Sequence, residues 1–203
     1  DWSPDAGGYG VSVDIGTTTV VCYLFDLEER RELDKISFLN PQVAYGDDVI
    51  SRIAYSSASP EALAKIQSVL TEEMDKSLGT LAERNNIKKT GITEIVIAGN
   101  TVMEHLFAGV SPESIGRSPY NPQFLLYPPF KASEIGIHIN ENGVIKMLPN
   151  VAGYVGADIV AGVAALSMEK AEGVKLLVDI GTNNEIVIGS REGLFCCATA
   201  AGP

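Results

Sequence analysis

The chain is short of the residues that metal clusters, disulfide frameworks and membrane anchors are built from. Its 203 residues hold three cysteines (Cys22, Cys196 and Cys197) and two histidines, His105 and His138. No CxxC or CxxH pair occurs, so zinc and iron–sulfur signatures are missing. Cys196 and Cys197 are adjacent and would point to opposite faces of a strand. All three thiols are expected to be buried small hydrophobes rather than redox groups, and reduced thiols suit the cytoplasm. Neither histidine has a ligand-spaced partner, so both read as structural. Positive charge is scarce too: 15 Lys and Arg face 26 Asp and Glu, for a net charge of −11. That balance excludes non-specific nucleic-acid binding, which needs a positive field, and is compatible with a basic protein partner. No uninterrupted apolar run is long enough to span a bilayer. Asp1-Trp2-Ser3-Pro4-Asp5 has neither the basic nor the apolar region of a signal peptide. The chain starts without Met and stops at Ala200-Ala201-Gly202-Pro203, directly after an expected strand. Both ends read as cuts in a longer protein, with residues 1–9 a linker remnant.

Apolar residues make up 45% of the chain and charged ones 20%, enough to bury a real core. Two stretches organise it. Val11-Ser12-Val13-Asp14-Ile15-Gly16-Thr17-Thr18-Thr19-Val20-Val21 and Leu176-Leu177-Val178-Asp179-Ile180-Gly181-Thr182-Asn183-Asn184-Glu185-Ile186 each read as strand, Asp-Ile-Gly-Thr, small polar residues, strand. Such a pattern predicts a hairpin with a tight glycine turn. Gly16 and Gly181 let the backbone turn sharply and approach a ligand. Successive N–H groups then form a concavity suited to phosphate. Thr17, Thr18, Thr19 and Thr182 add hydroxyls; Asn183 and Asn184 add amides. Asp14 and Asp179 stand where strand becomes turn, where an aspartate beside phosphate makes sense if Mg²⁺ lies between them, usually through water. One copy would be as readily a polar turn; two matching copies make coincidence a poor explanation.

The rest of the chain supplies an α/β frame. A third strand is expected over Leu33–Leu39 and a helix over Tyr45–Ser56 capped by Asp47. A longer helix begins with Ser59 as N-cap and Pro60 in the first turn, carries the stripe Leu63, Ile66, Val69, Leu70, Met74, Leu78 and Leu81, and ends at Asn85-Asn86. Ile95-Val96-Ile97 is a short, fully apolar strand of the kind buried in a parallel sheet. Gly99-Asn100-Thr101 follows, then a helix with Val102, Met103, Leu106 and Phe107. Asn100 is either a ligand-side residue at the carboxyl end of a strand or simply the helix cap. Residues 111–129 hold five of the ten prolines and should be an ordered extended excursion. Ile135–Ile139 and Val144–Leu148 flank Asn142-Gly143 and read as a hairpin whose second strand returns to the main sheet. A helix follows Asp158, with Ile159, Val160, Val163, Ala164 and Leu166 buried. Asp158 can face the cleft or only satisfy the helix dipole. A last strand spans Gly193–Thr199.

The paired hairpins resemble the phosphate grips of the actin, Hsp70 and sugar-kinase superfamily of ATPases. With Asn40-Pro41-Gln42, Gly46-Asp47-Asp48-Val49-Ile50-Ser51-Arg52-Ile53, Ala98-Gly99-Asn100-Thr101, Ala152-Gly153-Tyr154-Val155-Gly156-Ala157-Asp158 and the closing Ala198–Pro203, the chain resembles the C-terminal ATPase region of the reductive activators of corrinoid proteins. The resemblance implies an α/β fold. A ribonuclease-H-like subdomain with a mixed sheet flanked by helices would occupy 10–170, with a proline-rich insertion at 111–150. The truncated start of a second such subdomain would occupy 171–203. It implies ATP and Mg²⁺ as ligands. Asp14 and Asp179 would be catalytic and metal carboxylates, acting on the metal through water, with Asp158 a third catalytic candidate. Gly16, Thr17, Thr18, Gly99, Asn100, Gly181, Thr182 and Asn183 would contact the nucleotide. A 2Fe-2S cluster would belong to a ferredoxin domain upstream of Asp1. The partners implied are a corrinoid protein with its methyltransferase system and a reduced electron donor, with a homodimer left open.

Function then reads as ATP turnover coupled to reduction of cob(II)alamin to the cob(I) state. Two alternatives share the hairpins. A small-molecule kinase would need polar substrate groups beside Asp158, where Val151, Ala152, Tyr154 and Val155 are poor ones. A non-catalytic binding module would grip phosphate without turnover. In the superfamily the adenosine segment would lie beyond Pro203, so residues 1–203 are expected to bind ATP weakly and turn it over little.

Overall fold

The computed structural model describes residues 8–181 and 183–200. The chain opens with three antiparallel strands, β1 (Tyr9–Ile15), β2 (Thr19–Asp26) and β3 (Arg31–Leu39). Helices α1 (Val49–Ser56) and α2 (Pro60–Arg84) lead to β4 (Ile92–Gly99), then α3 (Thr101–Ala108). After the proline-rich excursion come β5 (Phe130–Lys131), β6 (Val144–Met147) and α4 (Ala157–Ala165). The last elements are β7 (Lys175–Ile180), β8 (Asn183–Ser190) and β9 (Gly193–Ala200). The first six strands form one mixed sheet in the order β3-β2-β1-β4-β6-β5, and β7-β8-β9 form a second, antiparallel sheet. A mixed sheet flanked by helices is the architecture the sequence implies.

Alternation in the strands sets the layers. Val11, Val13 and Ile15 of β1 are buried on one face, in the same core as the apolar stripe of α2. Ile66, Leu70, Met74, Leu78 and Leu81 of α2 recur every three or four residues and are all fully buried. Each such side chain removed from water stabilises by about 1.5–3 kcal/mol, so this stripe outweighs the helix's charged outer face in fixing it on the sheet. Ser59 caps the helix, its Oγ accepting from Ala62 N at 3.2 Å. Helix α3 is buried on every side, from Thr101 to Phe107. Helix α4 packs on β4 of the first sheet and on β7 of the second, and Val155, Ile159, Met168 and Val187 form a small core there.

β1 and β4 run parallel and adjacent, with Ile15 opposite Gly99. Their carboxyl ends therefore finish at the same sheet edge, and whatever follows each strand is brought together. A β-carbon at Gly99 would lie 2.9 Å from the Ile15 carbonyl oxygen, so this close strand contact requires glycine.

Several elements differ from the sequence expectation. Pro41–Tyr45 is a short 3-10 turn, and α1 starts at Val49. Its cap is Asp48, not Asp47: the Asp48 carboxylate accepts from Ser51 N at 2.7 Å. The hairpin over 135–148 is not formed. β6 does join the main sheet, parallel to β4, but its antiparallel partner is β5. Ile135 ends a 3-10 turn closed by Gly136 at φ +77°, a left-handed conformation that breaks a strand. The alternation of Ile135, Ile137 and Ile139 reports burial in the core rather than extension. Cys22 is buried, but Cys196 and Cys197 are exposed on β9. Ala164 and Leu166 are exposed as well, because α4 meets its neighbours along Ile159 and Val163.

The excursion after α3 is ordered by His105. Its Nε2 accepts from Gln123 N at 3.1 Å, its Nδ1 lies 2.7 Å from the Thr101 carbonyl, and its ring stacks on Phe124 with centroids 4.0 Å apart. Burial lowers this imidazole to about 4, so it is neutral at physiological pH. His138 lies at the surface, with its backbone N–H donating to Asp75 at 2.6 Å. His105 is thus a packed structural residue, whereas the His138 ring stands in solvent beside Asp75.

Candidate functional site

At the shared strand edge, a cavity of about 280 Å³ is lined by Asp14, Gly16, Thr17, Thr18, Thr19, Asn100, Asp158, Asp179, Gly181 and Glu185. Asp14 and Gly16 of the first stretch thus meet Asp179 and Gly181 of the second, although one stretch belongs to each sheet. The first turn is tight: Gly16 N donates to Thr19 O at 3.1 Å, and a β-carbon on Gly16 would sit 2.5 Å from that oxygen. Among the described residues, the N–H groups of Thr17 and Thr18 have no hydrogen-bond partner. They are the unpaired donors that a phosphate concavity needs.

Asn100 does both of the jobs it was a candidate for. Its Oδ1 accepts from Met103 N at 3.0 Å and caps α3, while its Nδ2 reaches Thr17 Oγ1 at 3.3 Å and faces the cavity. Gly99 does not line the cavity; its part is the strand contact described above. Asp158 enters from the first turn of α4, with Oδ1 accepting from Ile159 N at 2.8 Å. The start of α4 is pressed onto Asn100, since a β-carbon at Gly156 would lie 2.4 Å from Asn100 Cα and 2.6 Å from Gly99 O. Thr101 Oγ1 donates to Ala152 O at 2.6 Å and fastens the same junction. Gly181 lines the cavity, whereas Thr182 and the Asn183 side chain lie outside the described residues.

The cavity is an acid cluster. Burial raises Asp14, and the charge of Asp179 raises it further. Asp158 is pushed up to about 6, first by burial and then by Asp14 and Asp179. Glu185 is pushed up to about 7 by burial, then by Asp158 and Asp179. Such mutual repulsion in a part-desolvated cleft is relieved by a cation. Among the described residues no three His, Cys, Asp or Glu side chains stand close enough to ligate one metal ion directly. The lining offers the hard carboxylate oxygens that suit Mg²⁺ and, among the described residues, none of the cysteines that an iron–sulfur cluster needs.

Glu185 was not singled out from the sequence. It is 8% exposed and stands opposite Asp179 in the β7–β8 register. That register was a usable signal, because directly paired residues share a face. A second missed carboxyl is Glu104 of α3. It is fully buried, accepts from Asn150 Nδ2 at 2.7 Å, and leaves Oε1 without a partner. Burial raises it to about 8, against the pull of the Asn150 hydrogen bond and with a further push from Asp158. It holds a proton at neutral pH behind the acid cluster.

The chain is similar to known proteins. The family described as the RACo middle region matches residues 9–171, and the family described as the C-terminal domain of RACo, the ASKHA domain, matches residues 173–203. The corrinoid activation enzyme RamQ of Eubacterium limosum is 35% identical over 195 residues, covering 96% of this chain and 32% of that protein. The [Co(II) methylated amine-specific corrinoid protein] reductase of Methanosarcina barkeri is 22% identical, covering 96% of this chain and 36% of its own length. Among solved structures, the reductive activator for corrinoid, iron–sulfur protein superposes with a TM-score of 0.94 at 39% identity, covering 99% of this chain and 32% of that one. The chain thus spans about a third of the length of these relatives. With the middle-region family matched from Tyr9 to Ala171 and the ASKHA family beyond it, the chain belongs to the RACo family, spanning its middle region and the start of its C-terminal ASKHA domain.

Proposed function

We propose that this chain is the phosphate-gripping part of an ATPase that drives reductive reactivation of a corrinoid protein. The observation that carries the proposal is the convergence of Asp14 and Asp179, from two hairpins in two separate sheets, on one acid-lined cavity. The unpaired N–H groups of Thr17 and Thr18 receive phosphate oxygens, with Thr17 and Thr18 hydroxyls, Asn100, Gly181, Thr182 and Asn183 completing the grip. Asp14 and Asp179 hold Mg²⁺ through its water shell. When bound, the ion neutralises phosphate charge, and phosphoryl transfer otherwise needs chiefly positioning. Asp158 and Glu185, both held near neutrality on the acid scale, can take a proton from an attacking water. The two sheets are joined through α4, which touches both. Closure around nucleotide would be a two-state element to which a partner could couple.

On this reading the partner is a corrinoid protein with its methyltransferase system, served by a reduced electron donor. Any iron–sulfur centre lies outside residues 1–203. The test is ATP hydrolysis by the longer protein that contains this chain, with and without a cob(II)alamin-loaded corrinoid protein, repeated on Asp14→Ala and Asp179→Ala. Hydrolysis stimulated by the corrinoid protein and abolished in both variants supports the reading. Hydrolysis stimulated instead by a sugar or carboxylate points to a kinase, and absence of hydrolysis leaves a phosphate-binding module.

A further inference from the structure

Behind the first hairpin lies a charged side chain that solvent does not reach. Arg52 of α1 is fully buried. Among the described residues, no carboxylate stands within ion-pair distance of it. Its guanidinium spends its donors on uncharged acceptors: Nη2 donates to Thr17 O at 2.6 Å, Nε to Gly46 O at 2.9 Å, and Nη1 lies 3.1 Å from Met103 Sδ. A buried charge without a contacting counter-ion is costly, and Asp48 and Asp47 act on this one only from beyond ion-pair distance. Asn40, also fully buried, holds the carbonyls on either side. Its Nδ2 donates to Gly16 O at 2.9 Å and its backbone N–H to Thr18 O at 2.8 Å.

The three consecutive carbonyls of Gly16, Thr17 and Thr18 are therefore all fastened from the core side. A trans peptide unit carries its C=O and the next N–H in opposite directions. Pinning Gly16 O and Thr17 O inward aims the N–H groups of Thr17 and Thr18 outward into the cavity, where neither has a partner among the described residues. The same arginine places a positive charge one peptide unit behind the spot where an anion would sit.

We propose that Arg52 and Asn40 are positioning residues of the first hairpin. They hold its peptide units in the anion-receiving orientation, and a bound phosphate group adds negative charge on the cavity side of Arg52. The proposal rests on the reading of this hairpin as a phosphate grip and names what enforces it.

Two variants separate the effects. Arg52→Lys keeps the charge but cannot serve the spaced carbonyls of Thr17 and Gly46 together. Asn40→Asp keeps the oxygen that accepts from Gln42 N but sets a carboxylate against Gly16 O. The first readout needs no ligand: backbone amide shifts and hydrogen exchange of Thr17 and Thr18, compared with amides of β4 and α2 as controls. The second is binding of tripolyphosphate with Mg²⁺, a probe that uses the phosphate grip and needs no adenine pocket. Both variants are expected to move the Thr17 and Thr18 amides while leaving the controls in place, and to weaken tripolyphosphate by about tenfold or more, the loss typical of one charge-assisted hydrogen bond. Binding by the variants equal to wild type, with only the melting temperature lowered, overturns the proposal. Unmoved Thr17 and Thr18 amides overturn it as well, whatever the ligand does. If the amides move but the wild-type chain does not bind tripolyphosphate, the orientation by Arg52 stands and the phosphate reading of the hairpin is what fails.

Discussion

Replacing Asp158 by Asn should stabilise the ligand-free protein, and should do so only above the pH at which Asp158 ionises. Two effects of the charge compete. Asp158 lies in the first turn of α4, where a negative charge gains about 0.3–1 kcal/mol from the helix dipole. Against this, burial and the charges of Asp14 and Asp179 raise it from 3.8 to about 6. At 1.36 kcal/mol per factor of ten, that rise corresponds to about 3 kcal/mol against the charged form; the rise is net of the backbone contacts, so repulsion and desolvation win. The sign follows from linkage. A carboxyl whose folded-state pKa is raised stabilises the fold below the ordinary carboxylate range, and that stability is lost as pH rises through about 6. Asn keeps the oxygen that accepts from Ile159 N and carries no charge. The expected result is near-equal stability at pH 4 and a gain of about 1–3 kcal/mol at pH 8, or roughly 3–10 °C in melting temperature for a chain of this size. Thermal unfolding from pH 4 to 8.5 measures it. Saturating Mg²⁺ should narrow the gap, since the cation relieves the same repulsion. A variant that is less stable by a constant amount at every pH would refute the reasoning and leave the dipole as the larger effect.

Other outcomes follow from neighbouring contacts. Glu104→Gln should cost less than about 1 kcal/mol at pH 7, because Gln mimics the protonated carboxyl, whereas Glu104→Ala should cost about 2–4 kcal/mol by stranding Asn150 Nδ2 in the core; chemical denaturation of both variants distinguishes them. His105 should make the fold sensitive to acid: its lowered pKa gives stability that is whole above about 6.5 and is lost as pH falls toward about 4, a slope that should vanish in His105→Gln when stability is followed against pH. Gly16→Ala should destabilise by about 1–3 kcal/mol and open the first hairpin, given the 2.5 Å approach to Thr19 O, and loss of the Thr17 and Thr18 amide signals from their native positions in an NMR spectrum would report it.

The two hairpins, the long amphipathic helix α2 and the buried strand β4 were legible in the sequence because each is announced locally. Period-2 alternation, a glycine at a turn that tolerates no β-carbon, and a serine cap before proline all act within a few residues. The mixed α/β architecture followed from their order, and the pairing of Asp14 with Asp179 from the repeat. Local signals misled where burial mimicked extension, as at Ile135–Ile139, and where both faces of an apolar strand are exposed, as at Cys196 and Cys197. The meeting of Asp158 and Glu185 in the same cavity depends on how β4 and α4 dock and on the register of β8. Glu104 and Arg52 depend on tertiary structure most of all. In a sequence a glutamate and an arginine on helices read as solvated charges, and only the packed structure shows that the carboxyl is sealed behind the acid cluster and the guanidinium beneath the turn of the first hairpin. Local chemistry determined which residues could grip a phosphate; desolvation, which exists only once distant segments pack together, decided which of them carry charge and in which direction the turn presents its amides.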